Sequence, residues 1–244
     1  MNTQQKIFKS YDKRMMKNDT QLLWQSDFIN NVFYENYRKF LPSNMTEKLK
    51  ILEVGCNKGF MCKALRSYYQ DAHIVGVDLS PNDIEYAKKL DPHTVFLCTD
   101  AREILKNNTF DIIISKDVME HIPKTEQEAF VKSIYDALLP NGTAIIQVPN
   151  MDWILSNHER YMDYTHEIGY TRESLADIFR LYFGENINIV PSSYIWPKTL
   201  KQKILFSILR PIVLRLMHLF FKVIGEGADD IWYHSREIMI IAKK

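Results

Sequence analysis

The feature that most constrains this fold is residues 51–60, where a short apolar run breaks into two closely spaced glycines. The apolar residues at 51–54 are typical of a buried β-strand. Gly55 and Gly59 enclose only small or polar residues, and apolar residues resume at helical spacing over 61–69. A strand, a glycine turn and a helix in this order predict the opening unit of a nucleotide-binding α/β domain. An ordinary tight turn is the alternative for this stretch taken alone.

The spacing of the glycine turn indicates what kind of ligand it serves. A dinucleotide-binding turn has the pattern G-x-G-x-x-G, whereas this chain has E-x-G-x-N-x-G. Glu53, at the end of the strand, suits a ligand with an amine or a cation better than a bare pyrophosphate. The free N–H groups at the start of the next helix suit a carboxylate or phosphate. A dinucleotide-dependent oxidoreductase is therefore the weaker alternative.

Further apolar runs alternate with helical segments at 74–77, 95–98, 110–115 and 143–148. This alternation predicts strands that pair in parallel through right-handed crossovers. Asp78 ends the second strand, about 20 residues after the glycine turn, where an acidic side chain can accept hydrogen bonds from both ribose hydroxyls. A solvated helix cap is the alternative role for this aspartate.

Five motifs follow one another between residues 50 and 150: ILEVGCNKG, VGVDLS, CTDA, FDIIISKDVMEHI and LLPNGTAIIQVPN. In their order and spacing, the chain resembles the class I S-adenosylmethionine-dependent methyltransferases. Asn57 departs from the family pattern, because the second glycine usually stands there. The resemblance implies a Rossmann-like α/β fold with a doubly wound, seven-stranded, mostly parallel sheet. Residues 186–190 and 237–242 would be its last two strands, with the final strand antiparallel.

The resemblance also implies S-adenosylmethionine as the cofactor. Glu53 would hold its ammonium group, Asp78 its ribose hydroxyls and Asp100 the exocyclic amine of adenine. These roles match the acceptor character of a carboxylate, although Asp100 and Asp117 have an alternative role as helix caps. The full set of expected cofactor-binding residues is Tyr11, Glu53, Gly55, Cys56, Asn57, Gly59, Asp78, Leu79, Asp100, Ala101, Lys116 and Asp117.

Methyl transfer mainly requires a well-positioned acceptor, because the sulfonium of the cofactor is already activated. A hydroxyl acceptor also needs a general base, for which histidine has a suitable pKa. His121 follows the fourth strand and is the leading candidate, and His166 is the second. A histidine that only starts the next helix is the alternative for His121.

The segment after the fifth strand indicates the acceptor. It is polar over 151–169, and a D-x-T-H sequence at 163–166 precedes T-x-x-S-L at 171–175, where Thr171 is expected to cap a helix. This is similar to a stretch in methyltransferases that act on sugars and surface-polysaccharide precursors. It implies O-methylation of a small polar acceptor, a sugar or phosphorylated precursor, in capsule or other surface-polysaccharide biosynthesis. A quinone or phenol acceptor, an amine acceptor and a non-catalytic cofactor-binding subunit are the alternatives.

The same polar segment contains His158 and His166 together with Asp152 and Asp163. Side chains of these types bind divalent metals, but their spacing here matches no established ligand pattern. A polar rim around a hydroxyl-rich acceptor explains them better. We therefore expect no metal site.

Length and charge restrict the remaining possibilities. The 244 residues accommodate a helical cap at 1–45, a cofactor-binding core at 46–150 and a segment at 151–244 that completes the same domain. A helix is expected at 21–41. The net charge of +1 and the lack of a basic stripe in the core argue against a nucleic-acid partner. The N-terminus lacks the apolar region of a signal peptide, so we expect a cytoplasmic protein.

An unusual basic insertion at 197–224 precedes the last strand. Its apolar residues recur on one helical face, and no acidic residue occurs from Lys198 to Gly225. Pro211 is a candidate kink within it. Such a helix can cover the active site, form a homodimer or lie on an anionic membrane. Peripheral contact with the inner membrane surface through 200–222 is thus one expectation among three.

Overall fold

The computed structural model describes residues 19–42, 48–192, 199–225 and 231–244. Tyr11 and the rest of the first 18 residues therefore lie outside the described part. Seven strands form one sheet in the order β3-β2-β1-β4-β5-β7-β6. The strands are β1 Lys50–Val54, β2 His73–Asp78, β3 Val95–Cys98, β4 Phe110–Lys116, β5 Leu138–Pro149, β6 Ile187–Ser192 and β7 Glu237–Lys243. Strand β7 is antiparallel to both of its neighbours, and the other pairs are parallel, as predicted.

Eight α-helices surround the described sheet. They are α1 Asp19–Val32, α2 Phe60–Tyr68, α3 Pro81–Leu90, α4 Ala101–Asn107, α5 Gln127–Ala137, α6 Ser156–Tyr161, α7 Arg172–Phe183 and α8 Leu200–Val223. The helix predicted at 21–41 is confirmed as α1, but it widens into a π-helical turn at Phe33–Tyr37 and then tightens into a 3-10 turn at Arg38–Phe40. Thr171 caps α7 as predicted, through a reciprocal capping box with Ser174.

The segment 151–169 is not the continuous polar loop that its composition predicts, because it contains α6. Tertiary contacts explain this helical turn. The Glu159 side chain is buried and accepts a hydrogen bond at 2.9 Å from Arg236, just before β7. A buried carboxylate that is paired in this way anchors the turn against the sheet, whereas local sequence supplies no side-chain cap at its start.

Successive side chains of the central strands point to opposite faces of the sheet, and this produces two hydrophobic cores, one on each face. Leu52 and Ile113 point to the face that α5 and α7 cover, whereas Ile51 and Ile112 point to the face that α1, α2 and α3 cover. Burying each such side chain stabilises the fold by about 1.5–3 kcal/mol. Because β1 and β4 are apolar on both faces, they occupy the centre of the sheet.

The strand order reverses between β1 and β4, and this reversal determines where a ligand binds. Connections from the two strands leave to opposite sides, which opens a crevice at their carboxyl ends. The N-terminal segment closes over this edge, since the Tyr37 hydroxyl donates a hydrogen bond to Gln147 Oε1 of β5 at 2.9 Å. The crevice is thus bounded by the sheet edge and by residues that precede β1.

Candidate active site

A cleft of about 600 Å³ lies at the carboxyl edge of the strands. It brings together most of the residues predicted to bind the cofactor, and His121 lies at its wall. The predicted residues that line it are Glu53, Gly55, Cys56, Asn57, Asp78, Leu79, Asp100, Ala101, Lys116, Asp117 and His121. Gly59 is the residue before α2. Another cavity, of about 800 Å³, opens at the amino ends of the strands and contains none of the predicted site residues.

The glycine turn forms a cradle that side chains would fill. Gly55 and Gly59 have φ values of 73° and 77°, and a Cβ on Gly55 would overlap the Val118 side chain. The N–H groups of Gly55 and Cys56 donate to the Val77 carbonyl at 2.9 and 3.0 Å, which ties the turn to β2. Backbone therefore faces the cleft at close range, as binding of an extended ligand requires.

Asp78 is held in position for a pair of hydroxyl groups. Its two carboxylate oxygens accept hydrogen bonds from the N–H groups of Asn57 at 2.8 Å and Ser80 at 2.9 Å. Asn57 has a φ of 46°, and asparagine tolerates this left-handed conformation better than most residues do. The substitution of asparagine for the family's glycine thus keeps the turn, and each Asp78 oxygen retains a lone pair for a ribose hydroxyl.

Glu53 and Lys116 are buried ionisable groups that line the part of the cleft next to β1 and β4. Glu53 is buried and accepts a hydrogen bond from the Cys62 thiol at 2.8 Å. Burial raises the pKa of the Glu53 carboxyl to about 8. Burial alone would lower the pKa of Lys116, but its ion pair with Asp117 and the nearby Glu237 carboxylate outweigh burial and raise it.

In the same cleft, one carboxylate oxygen of Asp117 accepts no hydrogen bond from the described residues. This oxygen, Oδ1, is buried, and the Asp117 backbone has a φ of 55°. A carboxylate oxygen without a partner beside Glu53 fits a ligand that brings positive charge. The acidic groups, the glycine cradle and Asp78 together fit S-adenosylmethionine, which carries an ammonium, a sulfonium and a ribose.

The far end of the cleft suits the adenine base. The Leu79 side chain is exposed towards it, and Ala101 starts α4 at its wall. Asp100 caps α4, as the alternative role supposes, and it also forms an ion pair with Arg102. Hydrogen bonds from the Arg102 side chain lower the pKa of Asp100, so its carboxylate stays charged and accepts hydrogen bonds.

We expect the buried Glu53 carboxyl to make cofactor binding pH-dependent. Below pH 8 this group is largely protonated in the empty site, whereas an ammonium ligand favours the carboxylate, so binding must release a proton. We expect the affinity for S-adenosylhomocysteine to rise between pH 6 and pH 8 by up to about tenfold per pH unit. Calorimetric titrations across this range would show the slope, and Glu53→Gln should remove it. Equal wild-type affinities at pH 6 and pH 8 would contradict this assignment.

The two predicted catalytic histidines lie side by side. His121 ends a 3-10 turn, Met119–His121, after β4, and its ring centre lies 4.7 Å from that of His166. Glu120 explains the approach, because its carbonyl accepts hydrogen bonds from the N–H groups of Glu167 at 2.8 Å and Ile168 at 3.3 Å. The loop that carries His166 is thereby fastened to the turn that carries His121.

Hydrogen bonds determine which nitrogen of each ring carries the proton. The Thr165 hydroxyl donates to Asp163 Oδ1 at 2.7 Å, so it accepts from Nδ1–H of His121, which lies 2.8 Å away. Nδ1–H of His166 donates to the Glu159 carbonyl at 2.8 Å. Burial, with the neighbouring His166 ring, lowers the pKa of His121 to about 4. The neutral ring therefore carries its lone pair on Nε2.

Glu120 completes this group, although no sequence motif predicted a role for it. Its side chain is 2% exposed, and neither carboxylate oxygen has a hydrogen-bond partner among the described residues. Burial, with the Asp117 carboxylate nearby, holds the pKa of Glu120 well above its usual range. The only signal in the sequence was its position next to His121.

The comparisons with known proteins agree with this geometry. The family model described as "Methyltransferase domain" matches residues 52–146. A ubiquinone biosynthesis O-methyltransferase of Bradyrhizobium diazoefficiens is 31% identical over 109 residues, which are 43% of this chain and 42% of that protein. One from Rickettsia typhi is 32% identical over 114 residues, or 45% of each chain. The chain thus matches less than half the length of these curated relatives.

Solved structures share the fold across nearly the whole chain. A SAM-dependent methyltransferase from Archaeoglobus fulgidus aligns with a TM-score of 0.64 at 19% identity, covering 93% of this chain and 100% of that one. The plantazolicin methyltransferase BamL, crystallised with S-adenosylhomocysteine, aligns with a TM-score of 0.60 at 18% identity over 98% and 90%. At these identities the likeness concerns the fold. Residues 52–146 thus match a methyltransferase domain, and the chain has the fold of solved S-adenosylmethionine-dependent methyltransferases.

Proposed function

We propose that this chain transfers the methyl group of S-adenosylmethionine to a hydroxyl oxygen of a small acceptor. The observation that carries the proposal is the position of His121 in the wall of the cofactor cleft, beside the Glu53 and Lys116 end. The cofactor supplies an activated methyl group, and the protein orients the acceptor and takes up its proton. The hydrogen bonds from Asp163 through Thr165 to Nδ1 of His121 direct Nε2 towards that task.

A phenol or hydroquinone-type ring is the acceptor that the observations favour. The relatives that match the core are named ubiquinone biosynthesis O-methyltransferases rather than sugar-modifying enzymes. The segment next to His166 also exposes large apolar side chains, which suit an apolar ring better than a sugar. These side chains are Ile154, Leu155, Tyr161, Met162 and Tyr164. The sugar acceptor implied by the D-x-T-H stretch is the rival.

Helix α8 supports an acceptor that lies in a membrane. It spans 24 residues, about 36 Å at 1.5 Å per residue, and among the described helices it is the one long and apolar enough to cross a bilayer. Its half-buried side contacts the domain, where the Phe221 and Tyr233 rings lie 4.8 Å apart. The opposite side is apolar and faces away from the protein, with Leu205, Leu209, Ile212, Leu216 and Leu219 about half exposed or more.

We propose that this outward face lies on an anionic membrane surface. Basic side chains are spaced along the whole helix, at Lys201, Lys203, Arg210, Arg215 and Lys222. Such spacing suits a helix in the plane of the interface, because a spanning helix would carry these charges into the bilayer core. Anionic lipids are concentrated in the cytoplasmic leaflet, so the proposal places the chain peripherally at the inner membrane surface.

Vesicle sedimentation tests the membrane proposal. We expect the full chain to sediment with phosphatidylglycerol vesicles and to stay in solution with phosphatidylcholine alone. The double variant Leu209→Asp with Leu216→Asp should no longer sediment with phosphatidylglycerol vesicles, because two charges would enter the apolar face. Leu181→Asp, an equally exposed leucine on α7, is the matched control and should bind normally. If the double variant sediments like the wild type, the membrane proposal is wrong; if it instead dissociates a dimer, the face is a subunit interface.

An acceptor assay tests the methyl-transfer proposal. Purified protein, labelled S-adenosylmethionine and separate panels of hydroxylated phenols and nucleotide sugars would be incubated, and label in each product measured. Methyl transfer to phenols alone supports the proposal, and transfer to sugars alone supports the rival acceptor. An amine product would overturn O-methylation, and no product with either panel would favour a non-catalytic cofactor-binding subunit.

A further inference from the structure

We propose that Cys62 is a positioning residue of the cofactor site, and that its thiol holds the Glu53 carboxylate in place for the ammonium group of S-adenosylmethionine. The Cys62 Sγ atom donates a hydrogen bond to Glu53 Oε2 at 2.8 Å. Both side chains are buried, since Cys62 is 0% exposed and Glu53 is 4% exposed. Glu53 belongs to the lining of the cleft, whereas Cys62 does not. The thiol therefore acts on a bound ligand through the carboxylate.

The start of α2 brings the thiol to the carboxylate. Cys62 is the third residue of α2, and Glu53 lies one residue before the end of β1. Gly59, the residue before α2, has no side chain with which to cap the helix. The first N–H groups of a helix need acceptors, and a negative charge is favoured beside them. The Glu53 carboxylate meets this need from the neighbouring strand, where the Cys62 thiol and N–H both act on it.

The surroundings of Glu53 determine when its carboxyl is charged. Burial raises its pKa to about 8, whereas hydrogen bonding from the thiol and from the N–H of Cys62 lowers it. The Asp78 carboxylate raises this pKa further, and the Lys116 ammonium lowers it. Two more titratable groups interact with the carboxyl but stay uncharged at neutral pH, because burial raises their own pKa values: Cys56 and Tyr37. The Cys62 thiol thus offsets part of the desolvation of a buried carboxylate.

A thiol suits this role because it is a weak hydrogen-bond donor. A cation bound to Glu53 Oε2 would keep the carboxylate charged in the empty site and would compete with the ammonium of the ligand. The S–H group instead fixes the orientation of the carboxyl and leaves its charge to be balanced by the ligand. Cys62 thereby sets the pH at which the cofactor binds. This inference rests on the cofactor cleft of the proposed function, and it does not depend on which acceptor is methylated.

Calorimetric titration of the full chain with S-adenosylhomocysteine, which keeps the ammonium group, tests the inference between pH 6 and pH 9.5. Cys62→Ala removes the donor, so the midpoint of the pH-dependent binding should rise by about one pH unit. The variant should then bind about tenfold more weakly than the wild type at pH 7, and within about twofold of it at pH 9.5. Cys62→Ser keeps a donor, and its midpoint should lie no higher than that of the wild type.

The matched control is Cys98→Ala, because this exposed thiol ends β3 and lies outside the buried group around Glu53. Its pH profile should equal that of the wild type. Thermal unfolding checks that each variant is folded. If Cys62→Ala does not fold, Cys62→Ser decides the question, since a midpoint above that of the wild type would overturn the inference.

Carboxyl ¹³C NMR measures the protonation of Glu53 without any ligand, and Glu53→Gln assigns its signal. The Glu53 midpoint in Cys62→Ala should again lie about one pH unit above that of the wild type. A loss of affinity that is equal at every pH would overturn the inference, because a cavity in the core would then explain it. An equal rise of the midpoint in Cys62→Ser and Cys62→Ala would also overturn it. If the NMR midpoint shifts as expected but the wild type binds no S-adenosylhomocysteine, the contact with Glu53 stands and the proposed function is rejected.

Discussion

Replacing His121 by alanine is expected to lower kcat by about 10²–10⁴-fold while the affinity for S-adenosylhomocysteine stays within twofold of the wild type. The size of the loss is that of a missing general base or proton relay. The affinity should be preserved because the residues expected to bind the cofactor, Glu53, Asp78 and the glycine turn, lie at the ends of β1 and β2, whereas His121 follows β4. Single-turnover kinetics with the phenol acceptor would measure the rate of methyl transfer, and calorimetry would measure the affinity for S-adenosylhomocysteine.

The matched control for this variant is His158→Ala, which removes an imidazole from the same segment without touching the cluster. We also expect Thr165→Val to lower kcat by a smaller factor, because it breaks the hydrogen bond that orients His121 but keeps the ring. Full activity in His121→Ala would mean that the acceptor needs no proton acceptor at this position. A parallel loss of cofactor binding would mean that the residue is structural.

Removing the Asp78 carboxylate is expected to have the largest effect on cofactor affinity. The expected role of Asp78 is to accept two hydrogen bonds from the ribose, and each would be charge-assisted and worth about 1.5–3 kcal/mol. The same side chain accepts hydrogen bonds from the N–H groups of Asn57 and Ser80. Asp78→Ala therefore also releases one end of the glycine turn. We therefore expect an affinity loss of about 10²-fold or more for S-adenosylhomocysteine by calorimetry.

Asp78→Asn separates the two contributions. Its amide oxygen can keep one of the backbone bonds, but the negative charge is gone, so an intermediate loss of affinity is expected. The matched control is Asp71→Ala, an exposed aspartate in the turn before β2. If Asp78→Ala bound S-adenosylhomocysteine as tightly as the wild type, Asp78 would have to be removed from the site.

The fold was predictable because each of its strands has a local signal. The apolar run at 51–54, the glycine turn and Asp78 follow rules that depend only on neighbouring residues, and the alternation of strands and helices then determines the parallel order. The π-helical turn at Phe33–Tyr37 was not predictable, since it depends on packing of both end residues into the core. Helix α6 was missed for a similar reason, because its Glu159 is stabilised by Arg236, 77 residues further along the chain.

The candidate site likewise contains residues that local sequence predicts and residues that only tertiary contacts bring together. Glu53, Asp78 and Asp100 stand at strand ends, where sequence position alone identifies them. The cluster of His121 with His166 was predicted only as two separate candidates, and Glu120 was not predicted at all. The three residues lie together because two backbone hydrogen bonds hold the 163–168 loop against the turn after β4. Nothing in the local sequence specifies that contact.

The most direct test of the proposed cofactor site is a calorimetric titration of the purified chain with S-adenosylhomocysteine and, separately, with NADH. The glycine cradle, Glu53 and Asp78 predict saturable binding of S-adenosylhomocysteine, one molecule per chain, and no binding of NADH. Saturable binding of NADH without binding of S-adenosylhomocysteine would contradict the account, because the cleft would then serve a dinucleotide.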